Sequence, residues 1–180
     1  WNDASTTQIT LANGTVAPAI SIGERVLVKV ALPGHTTNSV AYIMGTAVDG
    51  TLAADAIDYV FSGDTIQIGG IGRSDFDVSD SAALYASIKE LSAVINDNTL
   101  ICPAHDYKQL FSTTLALESA NTPLLAKAIA GDIDSVDFVA EKAAIDKEIT
   151  ASDEPTFCGS IKESIDPSID VTPEQLTSFL

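Results

Sequence analysis

The stretch RVLVKVALPGHT, from Arg25 to Thr36, joins a strand pattern to a tight loop that carries a histidine. Apolar and polar residues alternate between Arg25 and Leu32, which is typical of a strand with one buried face. Pro33-Gly34 then ends the strand, because neither residue suits a strand interior. His35 is therefore expected immediately after a strand end.

Two further segments repeat this order of strand, tight turn and polar residue. AIDYVF (56–61) leads to Asp64, and NTLIC (98–102) leads to His105. Ligands gather at the carboxyl ends of strands, where loops are held rigidly and converge. Two imidazoles and a carboxylate suit a borderline metal such as Zn or Fe(II). We therefore predict His35, Asp64 and His105 as metal ligands; the alternative is that each is an ordinary polar loop residue.

The rest of the chain predicts a layered α/β or α+β domain, because strands are followed by a helix, a strand and more helices. Further strands are predicted at 8–11 and 39–44, and helices at 79–94, 108–120, 124–130 and 135–149. Ser79 or Asp80 is the expected N-cap of the first helix. We assign residues 1–150 to this domain and residues 151–180 to an acidic extension or linker.

The composition is that of a folded chain of 180 residues, with 46% hydrophobic and 19% charged positions. Its formal charge of −16 argues against binding to nucleic acid or to an anionic membrane. The acidity is explained either by a solvated surface or by a salt-rich habitat. Two cysteines, Cys102 and Cys158, are too few for a disulfide framework, so a reducing compartment such as the cytoplasm or the mitochondrial matrix is expected.

Four motifs occur in an order that resembles the C-terminal half of the metallo-β-lactamase superfamily. Within it, they look most like persulfide dioxygenases, whose relatives are the hydroxyacylglutathione hydrolases. The similarity extends from Leu11 to Leu115, with a weaker continuation through Ile149. The motifs are PGHT (33–36), SGD (62–64), GGIGRSDF (69–76) and PAHDY (103–107).

The resemblance implies an αββα sandwich, here without its N-terminal half. It also implies one Fe(II), held by two histidines and an aspartate, that oxidises a glutathione-type persulfide to sulfite. His35 and Asp64 match two of these ligands. His105 matches a residue that binds the second metal in dinuclear hydrolases of the superfamily and does not bind iron in the mononuclear enzymes.

The resemblance also implies catalytic roles for Arg73, Asp106 and Tyr107. A guanidinium facing a carboxylate forms a bidentate ion pair, so we expect Arg73 and Asp106 to join their two loops. Tyr107 is expected to present its hydroxyl to the substrate; the alternative is a buried, hydrogen-bonded tyrosine.

The hallmark His-x-His-x-Asp-His motif is absent from the sequence, so the third iron ligand is absent as well. Half a sandwich also leaves one sheet face exposed, which demands a partner. We expect an N-terminal half or a partner chain to complete the site; the alternative is a degenerate site with a structural role, and a homo-oligomer stays open. Two other functions stay open. One is a dinuclear zinc thioester hydrolase in which His105 is a true ligand, and the other is a metal-free assembly module.

Overall fold

One mixed sheet carries the structure, a computed structural model that describes residues 6–151. In these residues the sheet has eight strands in the order β10-β9-β6-β4-β3-β2-β1-β5, and β7 and β8 form a separate hairpin. The strands are β1 (Thr7–Leu11), β2 (Val16–Ile22), β3 (Arg25–Ala31), β4 (Val40–Gly45), β5 (Thr51–Leu52), β6 (Ile57–Gly63), β7 (Ile66–Gln67), β8 (Gly70–Ile71), β9 (Leu100–Pro103) and β10 (Thr113–Thr114). The helices are α1 (Ser81–Ser92), α2 (Leu115–Asn121), α3 (Pro123–Ala130) and α4 (Ser135–Ala151).

The strand directions bring three loop starts to the same edge of the sheet. β4 is antiparallel to both β3 and β6, so β3 and β6 are parallel to each other. β9 is also parallel to β6. The carboxyl ends of β3, β6 and β9 therefore lie at one edge, and each is followed by one of the three predicted ligands.

One face of the sheet forms the core together with the helices. Val28 and Val30 of β3 and Ala41 and Ile43 of β4 are at most 4% exposed. Helix α1 contributes three buried residues at helical spacing to the same cluster: Leu84, Ile88 and Leu91. Asp80 caps this helix, as predicted, by accepting hydrogen bonds from the backbone N–H groups of residues 82 and 83 at 2.8 and 3.0 Å.

The opposite face of the sheet is apolar but not well covered. The strand registers place a row of such side chains there, of which five, on the central strands β3, β4 and β6, are half-buried or exposed: Leu27, Tyr42, Met44, Tyr59 and Phe61. Phe61 is the most open of the five, at 41% exposed. A face of this kind is what one half of a two-layer sandwich presents, and it is the surface on which a partner is predicted to dock.

The helix predicted over residues 108–120 was wrong in its first half. Asp106 turns the chain instead, because its carboxylate accepts the backbone N–H groups of Lys108 at 2.9 Å and Phe111 at 2.7 Å. Gln109 and Phe111 have φ of 57° and 64°, which a right-handed helix excludes. The helix starts only at Leu115.

Within residues 6–151, no helix is long and apolar enough to cross a membrane. Helix α4 ends at Ala151, and the predicted acidic extension otherwise lies outside the described residues. Cys102 is a free thiol in β9 whose pKa is raised by burial, and Cys158 also lies outside the described residues.

Candidate functional site

The three predicted metal ligands meet at the sheet edge. His105 Nδ1 lies 2.6 Å from Asp64 Oδ1, and His35 Nε2 lies 3.7 Å from Asp64 Oδ2. The loops after β6 and β9 are joined directly, because the backbone N–H of Ala104 donates to the carbonyl of Gly63 at 2.9 Å. The structure thus brings together residues that are up to 70 positions apart in the sequence, with Asp64 between the two imidazoles.

His35 is held in one tautomer by the backbone. Its Nδ1 lies 2.7 Å from the carbonyl oxygen of Arg73. A carbonyl oxygen only accepts hydrogen bonds, so Nδ1 must carry the proton, and the lone pair of the neutral ring is on Nε2. This is the atom that faces Asp64, so the ring is oriented as in histidines that bind metals through Nε2.

The loop that carries His35 is fixed to the start of α1 by three hydrogen bonds. Ser79 Oγ donates to the His35 carbonyl at 2.7 Å, and the Asp80 N–H donates to the Gly34 carbonyl at 2.8 Å. Ser87 Oγ donates to the Pro33 carbonyl at 2.6 Å. Gly34 is required for this approach, because a Cβ there would lie 2.3 Å from the Cα of Leu84.

The two oxygens of Asp64 have different surroundings. Oδ1 accepts hydrogen bonds from Gln67 Nε2 at 2.7 Å and from His105 Nδ1 at 2.6 Å. Oδ2 faces His35 Nε2 at 3.7 Å, too far for a hydrogen bond. Asp64 therefore has one oxygen engaged by protein donors and one oxygen directed at the ring nitrogen that carries a lone pair. Gln67 was not singled out from the sequence, because nothing in a lone Gln beyond a turn marks it as a carboxylate partner.

His35 and Asp64 fit a metal ion as a pair of ligands. Two ligand atoms about 2.1 Å from one ion are about 3.4 Å apart at the tetrahedral angle, close to the observed 3.7 Å. A direct hydrogen bond between His105 and Asp64 Oδ1 leaves no space for an ion between those two atoms. No group of three or more His, Cys, Asp or Glu side chains in residues 6–151 is placed to hold a metal. His105 as a ligand stays a prediction.

Gly72 allows the loop after β8 to pass directly against the site. A Cβ at this position would lie 1.8 Å from the carbonyl oxygen of Asp64 and 3.3 Å from His35 Nδ1. Any larger residue must displace one of the two. This close approach, rather than a phosphate-binding loop, therefore explains why the third glycine of the GGIGRSDF motif, Gly72, is a glycine.

Arg73 pairs with Asp75 and not with Asp106, which corrects the predicted ion pair. Its Nε donates to Asp75 Oδ1 at 2.9 Å and its Nη2 to Asp75 Oδ2 at 2.7 Å. This bidentate contact raises the pKa of Arg73 and lowers that of Asp75. The guanidinium also lies 4.8 Å from the ring centroid of Phe76 and donates to Thr150 of α4 at 2.9 Å. The short separation of Arg73 and Asp75 in the chain explains the outcome.

The loop after His105 forms one side of the site. Asp106 accepts the backbone N–H of Phe111 most strongly, which lowers the pKa of its carboxyl, so its charge organises this loop. Tyr107 stacks on His105, with ring centroids 6.2 Å apart and planes at 25°. The Tyr107 side chain is 54% exposed, so it is not the buried tyrosine of the alternative interpretation.

These residues surround a cleft of about 730 Å³, which is large enough for a small organic substrate. His35, Asp64 and His105 line it together with apolar residues of α3 and α4, including Leu124, Ile145 and Ile149. Of the three cations in the lining, Arg73 pairs with Asp75 and Lys142 pairs with Asp146. No ion pair within residues 6–151 includes the third, Lys108.

Similarity to known proteins agrees with this arrangement. The chain is 35% identical over 107 residues to the mitochondrial persulfide dioxygenase ETHE1 of Bos taurus, which covers 59% of this chain and 38% of the bovine protein. It is 39% identical over 88 residues to hydroxyacylglutathione hydrolase of Yersinia enterocolitica, covering 49% of this chain and 29% of that protein. The chain thus spans about two fifths or less of these relatives. No family model matches it.

Solved structures give the same result. The crystal structure of ETHE1 from Myxococcus xanthus has a TM-score of 0.56 at 29% identity, over 71% of this chain and 49% of that one. A metallo-β-lactamase from Staphylococcus aureus has a TM-score of 0.55 at 23% identity, over 76% of this chain and 38% of that one, and so supports the fold alone. In both cases the match covers half or less of the known structure.

Proposed function

Since this chain belongs to the metallo-β-lactamase superfamily, by its fold and by its similarity to ETHE1 and hydroxyacylglutathione hydrolase, we propose that it supplies part of a one-metal oxidation site. His35 and Asp64 are two protein ligands of an Fe(II) ion in a persulfide dioxygenase. The substrate is a small thiol persulfide, such as that of glutathione. Its sulfane sulfur is oxidised to sulfite, O₂ is reduced, water supplies the remaining oxygen, and the thiol leaves.

The observation that carries this proposal is the difference between the two oxygens of Asp64. A carboxylate bridges two metals either with one ion on each oxygen or with both ions on one oxygen, and the first mode needs both oxygens free of protein donors. Here Oδ1 is engaged by Gln67 and His105, and only Oδ2 is directed at His35. This arrangement speaks against a bridge with one ion on each oxygen, and it supports a single metal on Oδ2 with His105 Nδ1 as an orienting partner of Asp64.

The residues of this chain hold and orient the site. When bound, Fe(II) supplies open coordination positions for O₂ and for the persulfide sulfur. The Arg73 carbonyl fixes the His35 tautomer, and Gln67 and His105 fix the rotamer of Asp64. Such hydrogen-bond partners of ligands typically change metal affinity or activity by about 10- to 100-fold when they are removed.

A third protein ligand is needed, because catalytic metal sites normally have three. Residues 6–151 do not offer it. We infer that it comes from another segment or from a partner chain, and the apolar face that includes Tyr42, Tyr59 and Phe61 is the surface where such a partner would pack.

The cleft supports an anionic substrate. Lys108 is its one cation without an ion-pair partner in the part of the chain described. A glutathione-type compound has carboxylates that an ammonium attracts, and the apolar lining from α3 and α4 suits the rest of the molecule. Tyr107 also lines the cleft and stacks on His105, so we assign it a contact with the sulfur-bearing part of the substrate.

His105→Ala tests the proposal against the dinuclear hydrolase. The variant and the unchanged protein are purified anaerobically with any bound partner, and iron, zinc, oxygen consumption with glutathione persulfide and thioester hydrolysis are measured. We expect His105→Ala to retain about one iron per chain and to consume oxygen more slowly. If His105→Ala loses a metal and the unchanged protein hydrolyses a thioester, the hydrolase is established instead. No metal in either protein, together with a tight complex that forms without metal, would support the assembly module.

A further inference from the structure

The peptide group between Arg73 and Ser74 connects the His35 ligand to a buried ion pair. Its carbonyl oxygen, from Arg73, accepts the proton of His35 Nδ1 at 2.7 Å. Its N–H, from Ser74, donates to Asp146 Oδ2 at 3.0 Å. One planar peptide unit therefore has hydrogen bonds at both ends, one to a predicted metal ligand and one to a carboxylate on α4.

Asp146 is one half of a buried ion pair. The Lys142 ammonium donates to Asp146 Oδ1, and the side chains of Lys142 and Asp146 are 1% and 2% exposed. Ser74 Oγ also donates to Asp146 Oδ2, at 3.3 Å. Among residues 6–151, the donors on the Asp146 side chain come from Lys142 and from Ser74 in the site loop, and the side chain is shielded from solvent.

The stability of the fold does not by itself explain this buried ion pair. Two buried charges lose their hydration, and well-packed apolar residues of similar volume are often as stable or more so. One turn before Lys142, the buried residue of α4 is apolar, namely Phe138. Its contact with the peptide group that holds His35 indicates a role in positioning that histidine.

We propose that Lys142 and Asp146 are positioning residues that set the tautomer and orientation of His35 through the Arg73–Ser74 peptide. A carboxylate that accepts the N–H of a peptide polarises it, and its carbonyl then becomes a stronger acceptor. The Arg73 carbonyl thereby keeps the proton of His35 on Nδ1, and the lone pair on Nε2 faces Asp64. The Lys142 ammonium lies against Asp146 as the counter-charge of this buried carboxylate.

The metal enters this inference only through the proposed function, whereas the tautomer of His35 does not depend on a metal. Nitrogen-15 NMR of the metal-free 180-residue chain distinguishes the Nδ1–H from the Nε2–H form. The chain has only two histidines, so a spectrum of His105→Gln assigns the signals. Spectra are recorded at alkaline pH, where ordinary histidines are neutral.

Two double variants separate the charge from the hydrogen-bond acceptor. Lys142→Met with Asp146→Leu removes both, whereas Lys142→Met with Asp146→Asn retains an oxygen that can accept the Ser74 N–H. Glu141→Gln is the matched control, because it breaks an exposed ion pair of the same helix, with Lys127. We expect the Leu variant to shift the ratio of His35 tautomers toward Nε2–H by up to about twofold, because it removes only the strengthening, about 10–30%, that the Ser74–Asp146 hydrogen bond gives to the His35 hydrogen bond. The Asn variant should shift it less, and Glu141→Gln not at all.

The inference is overturned if the unchanged chain has His35 in the Nε2–H form, or if the folded Leu variant has the same ratio of His35 tautomers as the unchanged chain. If that variant does not fold, through-hydrogen-bond couplings in the unchanged chain decide the question. Couplings from the Ser74 N–H to the Asp146 carboxyl and from His35 Nδ1–H to the Arg73 carbonyl are expected, and the absence of either contradicts the inference. If the tautomers of His35 respond as expected but the protein never binds iron, the proposed function is refuted and this inference stands.

Discussion

Gly72→Ala should damage the site by moving Asp64. The new Cβ would lie 1.8 Å from the Asp64 carbonyl oxygen, and contacts below 3.0 Å do not persist, so the two backbones must separate by about 1.2 Å. The strain is backbone against backbone, and no flexible side chain can absorb it. Overpacking of this kind costs about 1–3 kcal/mol, which lowers the Tm by about 2–12 °C for a chain of this size.

Gly70→Ala is the matched control for this substitution. A Cβ at Gly70 meets no atom within 4 Å, so it should leave the Tm unchanged or raise it slightly. Misplacement of a reacting group by 1 Å costs about 10²-fold in rate, so Gly72→Ala should also slow oxygen consumption with glutathione persulfide by roughly that factor. Calorimetry and an oxygen electrode measure the two effects. If Gly72→Ala matched Gly70→Ala in both, the reasoning from close approach would be refuted.

Three further results are expected. Lys108→Ala should raise the KM for glutathione persulfide about two- to fivefold, which is the effect of one exposed ion pair, and added salt should reduce this difference. Lys147→Ala is the control, because Lys147 lies outside the cleft, and it should leave the KM unchanged. Because Arg73 lowers the pKa of Asp75, their pairing stabilises the protein above about pH 4, and this stabilisation is lost as the pH falls through the lowered pKa. Asp75→Asn should therefore flatten the acid limb of a curve of stability against pH, measured by urea unfolding. An unchanged limb would be evidence against the pairing. Ile88→Ala, in the core under the site, should cost about 2–5 kcal/mol in the same assay, and a smaller loss would mean that α1 is not packed as described.

The sequence was most informative where a local pattern has one structural meaning. The alternation between Arg25 and Leu32 predicted β3, and the turn residues after three strands predicted where His35, Asp64 and His105 would start their loops. Because parallel strands end at the same edge of a sheet, this placement was enough to bring the three residues together. Asp80 was recognised as a cap because capping is a contact within a few residues of sequence.

Contacts between distant segments were not predictable in the same way. Strand β2 was missed because Pro18 lies inside it, yet its pairing with β3 begins only at Ala19. Lys142 and Asp146 look like solvated residues of an acidic helix, and only the packing of α4 against the site loop buries them. Gln67 and the carbonyl of Arg73 have no sequence signal at all, since their importance is set entirely by the atoms they meet.

The most direct test of the account is the metal content of the protein isolated anaerobically from its native host, with any partner retained, compared with that of Asp64→Asn. We expect about one iron per chain in the unchanged protein and in His105→Ala, and none in Asp64→Asn. Two metals per chain, or none, would contradict the claim that His35 and Asp64 of this chain hold a single iron.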